Sequence, residues 1–261
     1  MFNTLGFIFS SVMLNTRSAM ALRTSFLLST LMMCVNDLIF FALWGIILER
    51  VGNVGGWGKL DMALLFGISA SSYGVAVVLF EGARKLGIEV ARGGLDTYLV
   101  LPRPTALLIS TSQTNVSGWG DILAGIVLLS AVPVVELWQI PWLITLILSA
   151  SIVTASSLLA MQSVCFWVAG FEDVARMLNE LLVGLRGYPG SIFGGTFRLF
   201  IFTLFPVGYI TILPTESLRD GNLLKGFVCV AAAVVYALIA SAIFDRGLRR
   251  YASGSVFVLR E

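Results

Sequence analysis

Apolar residues fill six long stretches of the chain, and charge, glycine and proline collect in the short segments between them. A helix needs about 20 predominantly apolar residues to cross the hydrocarbon core of a bilayer. The stretches at 25–48, 62–80, 118–135, 142–168, 195–213 and 226–244 approach or exceed that length, and only Asp37, Asp121 and Arg198 bring charge into them. Gly118, Gly120 and Gly125 loosen the third, and Pro206 interrupts the fifth. Neither feature forbids a membrane helix, because neighbouring helices satisfy the freed backbone groups. The pattern predicts an all-α fold, a polytopic membrane protein with one transmembrane domain over 1–261. Ahead of the first stretch, Leu5, Ile8, Phe9, Val12, Met13 and Met20 recur at helical spacing against Asn3, Thr4, Ser11 and Arg17. That spacing predicts an amphipathic helix over 1–24, lying along an interface before the chain turns into the first span.

Composition strengthens this reading. The chain is 57% hydrophobic and 12% charged, with a mean hydropathy of +0.92, where soluble domains run near 45–50% and about 25%. A net charge of +2 gives no reason to expect a nucleic-acid partner. Histidine is absent, which removes Ser-His-Asp and Cys-His catalysis and histidine-ligated metals. Cys34, Cys165 and Cys229 lie in apolar runs without CxxC spacing, as small hydrophobes do. No catalytic and no metal-binding residue is expected. With six spans the termini share a side, and that side holds thirteen of the lysines and arginines, Arg176, Arg186 and Arg198 among them. The other side keeps Arg50, Lys59, Arg219 and Lys225, so both termini are expected in the cytoplasm. The first 16 residues carry no basic n-region, and no cleavable signal peptide is expected.

The sequence GNVGGWGKL at 52–60 has the wrong register for a phosphate-binding loop: Asn53 stands six before Lys59, and Leu60 follows it. It reads as a glycine-rich turn. Glu172–Asp173 reads as the start of a short helix, and the pairs Ala150/Thr154 and Ser156/Ala160 as helix-packing positions, with a substrate path as the second reading. The longest polar stretch, 81–117, is too short for a catalytic domain. Within it, 87–104 places Ile88, Ala91 and Leu95 on one apolar set and Tyr98, Leu99 and Leu101 on another. Gly93, Gly94, Pro102 and Pro104 bracket the element, and Arg92, Asp96 and Arg103 supply charge. It is either a helix resting on lipid head groups or a docking knob for a soluble partner. Asp37, beside Asn36 in the first span, costs about 2.5–3.5 kcal/mol unless it faces protein or water. It is therefore expected to point into the bundle, with Arg198 as a candidate partner. A satisfied interhelical bond and a translocation or gating role are both open to it.

The amphipathic leader, the six spans, GGLDTYLVLPRP after span two, and YPGSIFGG leading to RLFIFTLFPVGYITILP together resemble ABC-2-type transporter permeases, the compact six-span branch with a type V exporter-like fold. The resemblance implies that 1–24 is an elbow helix and that 81–104 carries a coupling helix seated on an ATP-binding subunit. Gly93, Gly94, Leu95, Asp96, Leu99 and Pro102 match that element. It implies two ATP-binding subunits holding ATP and Mg, no cofactor in this chain, and a second permease chain, identical or paralogous. It also implies export across the bacterial plasma (inner) membrane, while the aromatic and aliphatic side chains and few fixed charges of the spans favour a hydrophobic or amphipathic substrate. The segment before Pro214 and Glu216 would belong to an outer gate, with only about a dozen residues (214–225) left for outer re-entrant helices. Asn36, Asp37, Arg198 and Pro206 are the translocation or gating candidates. The competing class is an ion-coupled secondary transporter using Asp37; the chain shows no three-plus-three repeat. An intramembrane serine protease would lack its histidine.

Overall fold

The computed structural model describes residues 4–132 and 137–251. Among these there is no strand, only an isolated bridge between Val54 and Trp57 in the glycine-rich turn. The helices are α1 (Thr4–Met20), α2 (Arg23–Val51), α3 (Lys59–Ala91), α4 (Asp96–Leu99), α5 (Thr105–Ser110), α6 (Gly118–Ser130), α7 (Ile140–Ser163), α8 (Phe171–Leu185), α9 (Gly195–Thr203), α10 (Leu213–Arg219) and α11 (Leu223–Leu248). Residues 1–3 of the expected elbow, 133–135 of the expected third span and Arg260 lie outside the described residues. Among the described residues α2, α3, α7 and α11 are long and apolar enough to cross a membrane, and a bent pair formed by α9 and the segment Gly208–Arg219 brings the number to five at most.

α3 is the axis of the bundle: 78% of its apolar window is buried, against 11% for α2. Small residues let its neighbours close on it. A Cβ at Gly74 would lie 2.5 Å from the Gly118 carbonyl oxygen, and one at Gly125 would collide with Ser71, so α3 and α6 meet backbone to backbone. The bundle has two recognisable ends. At the near end, Ala83 and Leu86 of α3 pack with Leu95, Ile109, Leu159 and Phe244. At the far end, beside the glycine-rich turn, Leu64 and Ile68 pack with Leu143, Leu218 and Cys229.

The third pass begins earlier than hydropathy predicts. α6 has 13 residues, about 20 Å at 1.5 Å per residue, short of the roughly 30 Å hydrocarbon core. α5 supplies the missing length. Ile109 abuts Gly82, the Asn115 N–H donates to the Val77 carbonyl at 3.0 Å, Gly118 abuts Gly74 and Leu129 abuts Gly67. Residues 105–130 thus run antiparallel to α3 with a break at 111–117. Side chains satisfy the break: Ser11 Oγ and Asn15 Nδ2 of α1 donate to the Thr111 and Ser112 carbonyls at 2.9 and 3.1 Å. Ser11 and Asn15 of α1 therefore face protein, while Arg17 stays exposed. α3 itself continues beyond a kink at Phe80 (φ −134°, ψ 30°) to Ala91, so the first part of the expected 81–104 loop is helix. There Glu81, 1% exposed, accepts three bonds from Arg84 (Nη2 at 2.6 Å, and Nε at 3.1 Å to each carboxylate oxygen).

The fifth apolar stretch does not run from end to end. α9 starts near the glycine-rich turn, where Ser191 Oγ donates to the Val54 carbonyl at 3.0 Å. The pair bends by 79°, and α10 returns to the same end, where Arg219 lies 4.0 Å from Asp61 and its guanidinium stands 5.0 Å from the centre of the Trp57 ring. Pro206, without an N–H, cannot close the helical bond to Phe202. The Tyr236 hydroxyl of α11 reaches the carbonyls of Phe202 (3.2 Å) and Thr203 (2.7 Å) instead. The chain from α8 to Ser191 covers the length of the bundle, α8 itself ending at mid-bundle beside Arg186. Glu172 packs beside Gly87 at the near end, Gly187 packs on Phe66, and Tyr188 meets Trp44 edge-to-face with ring centroids 5.9 Å apart. Hydropathy misses α8 because charged and polar residues occupy its outer face. Its buried stripe is Ala175, Asn179, Leu182 and Arg186.

Candidate functional site

The near end presents the element singled out in the sequence. Gly93 adopts φ +71°, a left-handed conformation suited to glycine, and ends α3 sharply. A Cβ at Gly94 would collide with the Glu89 carboxylate. Leu95 is fully buried in the near-end core, so it anchors α4 to the bundle and is not a docking contact. Leu99, Val100 and Leu101 are 45%, 81% and 48% exposed, an apolar knuckle held by α4; Pro102 is exposed beside it and Asp96 is half-buried. Tyr251, at the end of α11, lies against this element, and burial followed by the charge of Asp96 pushes its hydroxyl up.

Midway along the bundle, three charged groups from three helices converge. Asp37 of α2, Asp121 of α6 and Arg186 after α8 are 9%, 0% and 6% exposed. Helical periodicity turns Asp37 inward while Val35, Ile39 and Phe40 face out, as expected for a carboxylate in an apolar helix. Asp121 sits in the first turn of α6, where the helix dipole favours a negative charge. Arg186 Nη1 donates to the Ser69 carbonyl at 3.2 Å, Nη2 lies 4.0 Å from Asp121 Oδ1, and the guanidinium stacks 3.9 Å from the centre of the Tyr73 ring. Both Asp121 oxygens and Asp37 Oδ2 are enclosed with no N–H or hydroxyl donor on them, and the two carboxyls lie against each other. A cavity of about 250 Å³ opens beside them between α2, α3 and α8, with Asn36, Asp37 and Arg186 in its wall.

The structure corrects the expected pairing of Asp37 with Arg198. Arg198 lies at the far end, around a cavity of about 260 Å³ with Gly55, Ser191, Glu216 and Arg219. It is not on the side of the termini, because α9 belongs to the hairpin that enters and leaves at the far end. Pro206 is buried at the apex of that hairpin. Sequence reading missed Arg186 and Tyr73. The four-three-four spacing of Ala175, Asn179, Leu182 and Arg186 carried the signal, since two polar residues share a stripe with two apolar ones.

This arrangement offers an interior ionic cluster beside a cavity, a bent hairpin at one end and a rigid apolar knuckle at the other. It suits a conformational machine. No curated protein and no solved structure matches the chain. A family model described as ABC-2 family transporter protein matches residues 31–255, a range that runs from within α2 through the rest of the bundle, the hairpin and the knuckle. The chain therefore belongs to the ABC-2 family of transporter proteins and is a multi-pass permease of an ABC transporter.

Proposed function

We propose that this permease is one half of an exporter for hydrophobic or amphipathic molecules, worked by separate ATP-binding subunits docked at the near end. The observation that carries this is the exposed knuckle Leu99–Val100–Leu101, three large apolar side chains on an element bearing both charge signs and anchored by buried Leu95. A groove in each ATP-binding subunit would seat it, and nucleotide would shift the permease between states through contacts that differ between them. The long exposed apolar side of α2, with Leu31, Val35, Ile39, Leu43 and Ile46, supports a second permease chain, identical or paralogous, completing the path. Each of the six passes (α2, α3, α5–α6, α7, α8 and α11) is then a crossing, with α9–α10 an outer re-entrant hairpin. Moving Arg198 to the far side and Arg186 into the bundle leaves eleven basic residues on the side of the termini against five, which supports a cytoplasmic near end in a bacterial inner membrane.

Replacing Leu99 by glutamate removes an anchor whose burial contributes roughly 1.5–3 kcal/mol. Leu99→Glu is expected to insert normally yet bind the ATP-binding subunit at least about tenfold more weakly, seen as its loss on co-purification, while Glu89→Gln retains it. Wild-type recovery with Leu99→Glu would overturn the docking role.

A further inference from the structure

We propose that the mid-bundle cavity is a recognition site for a cationic amphiphile, an ammonium or other onium head group on an apolar tail, with Asp37 as its counter-ion. The proposal rests on the exporter reading and names the substrate class. Charge balance is the first argument. Two carboxylates and one guanidinium meet here, and Arg186 is committed to the Ser69 carbonyl, to Asp121 and to the Tyr73 ring. Among the described residues no cation lies within ion-pair distance of Asp37, which is only 9% exposed and whose buried neighbour is a second carboxyl, Asp121. Two facing carboxyls at that depth with one committed guanidinium leave room for a second cation.

The walls supply the second argument. Phe40, Trp44, Phe66 and Tyr188 surround the opening beside Asp37, and aromatic faces attract alkylammonium groups, most strongly where water is excluded. The cavity volume of about 250 Å³ suits a head group and not a whole lipid. Phe40, in its wall, is itself 54% exposed and sits beside Ile39 and Leu43 on the outer side of α2, which puts an apolar track for the tail at the junction with the second permease chain. An anionic head would meet the carboxylates with the only nearby guanidinium among the described residues already bonded. A neutral head would leave Asp37 as it is.

Octyltrimethylammonium is the probe, with octanol and octanesulfonate as neutral and anionic controls of the same tail. Binding to the permease assembled with its ATP-binding subunit in lipid nanodiscs is measured by titration calorimetry. Wild type is expected to prefer the ammonium over either control by at least about tenfold. Asp37→Asn is expected to lose that preference and Asp37→Glu to keep it. Equal binding of the three probes by the wild-type complex would overturn the proposal, as would a preference that survives Asp37→Asn; either result would leave Asp37 and Asp121 satisfying each other through a shared proton. If the wild-type chain captures no ATP-hydrolysing subunit, the exporter reading fails instead, and probe binding to the permease alone still decides the role of Asp37.

Discussion

Arg186 is the residue on which the interior depends most. It joins α8 to α3 through the Ser69 carbonyl and to α6 through Asp121, all within the buried middle of the bundle. Removing one partner of a buried ion pair leaves a charge uncompensated and typically costs about 3–5 kcal/mol. Arg186→Ala is therefore expected to lower the thermal midpoint of the purified permease sharply, and Asp121→Asn added to it should restore part of the loss. A double variant no more stable than Arg186→Ala would show that Asp121 is not what Arg186 compensates. Asp37 was legible as an inward-facing carboxylate from sequence, since a charge in an apolar helix has few alternatives. Its cationic neighbour was not, because Arg186 sits in a segment whose average polarity hides a buried stripe.

Among the elements, the hairpin α9–α10 is tied to the far end by charge. Asp220 links its end to α11, accepting from Lys225 Nζ at 2.6 Å and from Arg219 Nε at 2.9 Å. The Lys225 ammonium, then the Arg219 guanidinium, hold the Asp220 carboxyl below the usual carboxylate range. A depressed folded-state value means the link stabilises above the unfolded value near 4 and fades as pH falls through the lower folded one. The Asp220 side chain is 35% exposed, so solvent screening keeps the contribution under about 1 kcal/mol. Asp220→Asn should be slightly less stable than wild type at neutral pH and indistinguishable from it in strong acid, by thermal unfolding at both pH values. A constant difference would remove the ionic link. Hydropathy reads α9–α10 as a span because its apolar run is long enough. It is blind to the 79° bend, which follows from Pro206 and from the Tyr236 hydroxyl that takes up the freed carbonyls.

At the scale of the whole molecule, four long helices, the leading helix α1 and the short element α4 were legible because each has its own signal: a continuous apolar run, an amphipathic period, or a bracket of glycine and proline. The start of the third pass at α5 and the role of α8 carry no apolar signal of their own. The break at 111–117 is satisfied by α1 and α3 and not by apolarity, and α8 carries charge on an exposed outer face over a narrow buried stripe, so an apolar run marks neither. The two readings of α8 put opposite sides of the membrane at Ser191. If α8 stays on the near side, as the apolar runs alone imply, Ser191 is cytoplasmic. If α8 crosses and α9–α10 is an outer hairpin, Ser191 lies outside beside Val54. Labelling of Ser191→Cys by a membrane-impermeant maleimide in intact cells, against the wild-type cysteines as background, decides between them. The six-pass arrangement predicts labelling before permeabilisation, matching a cysteine placed at Gly55 and unlike one at Arg246. Labelling of Ser191→Cys only after permeabilisation would contradict it.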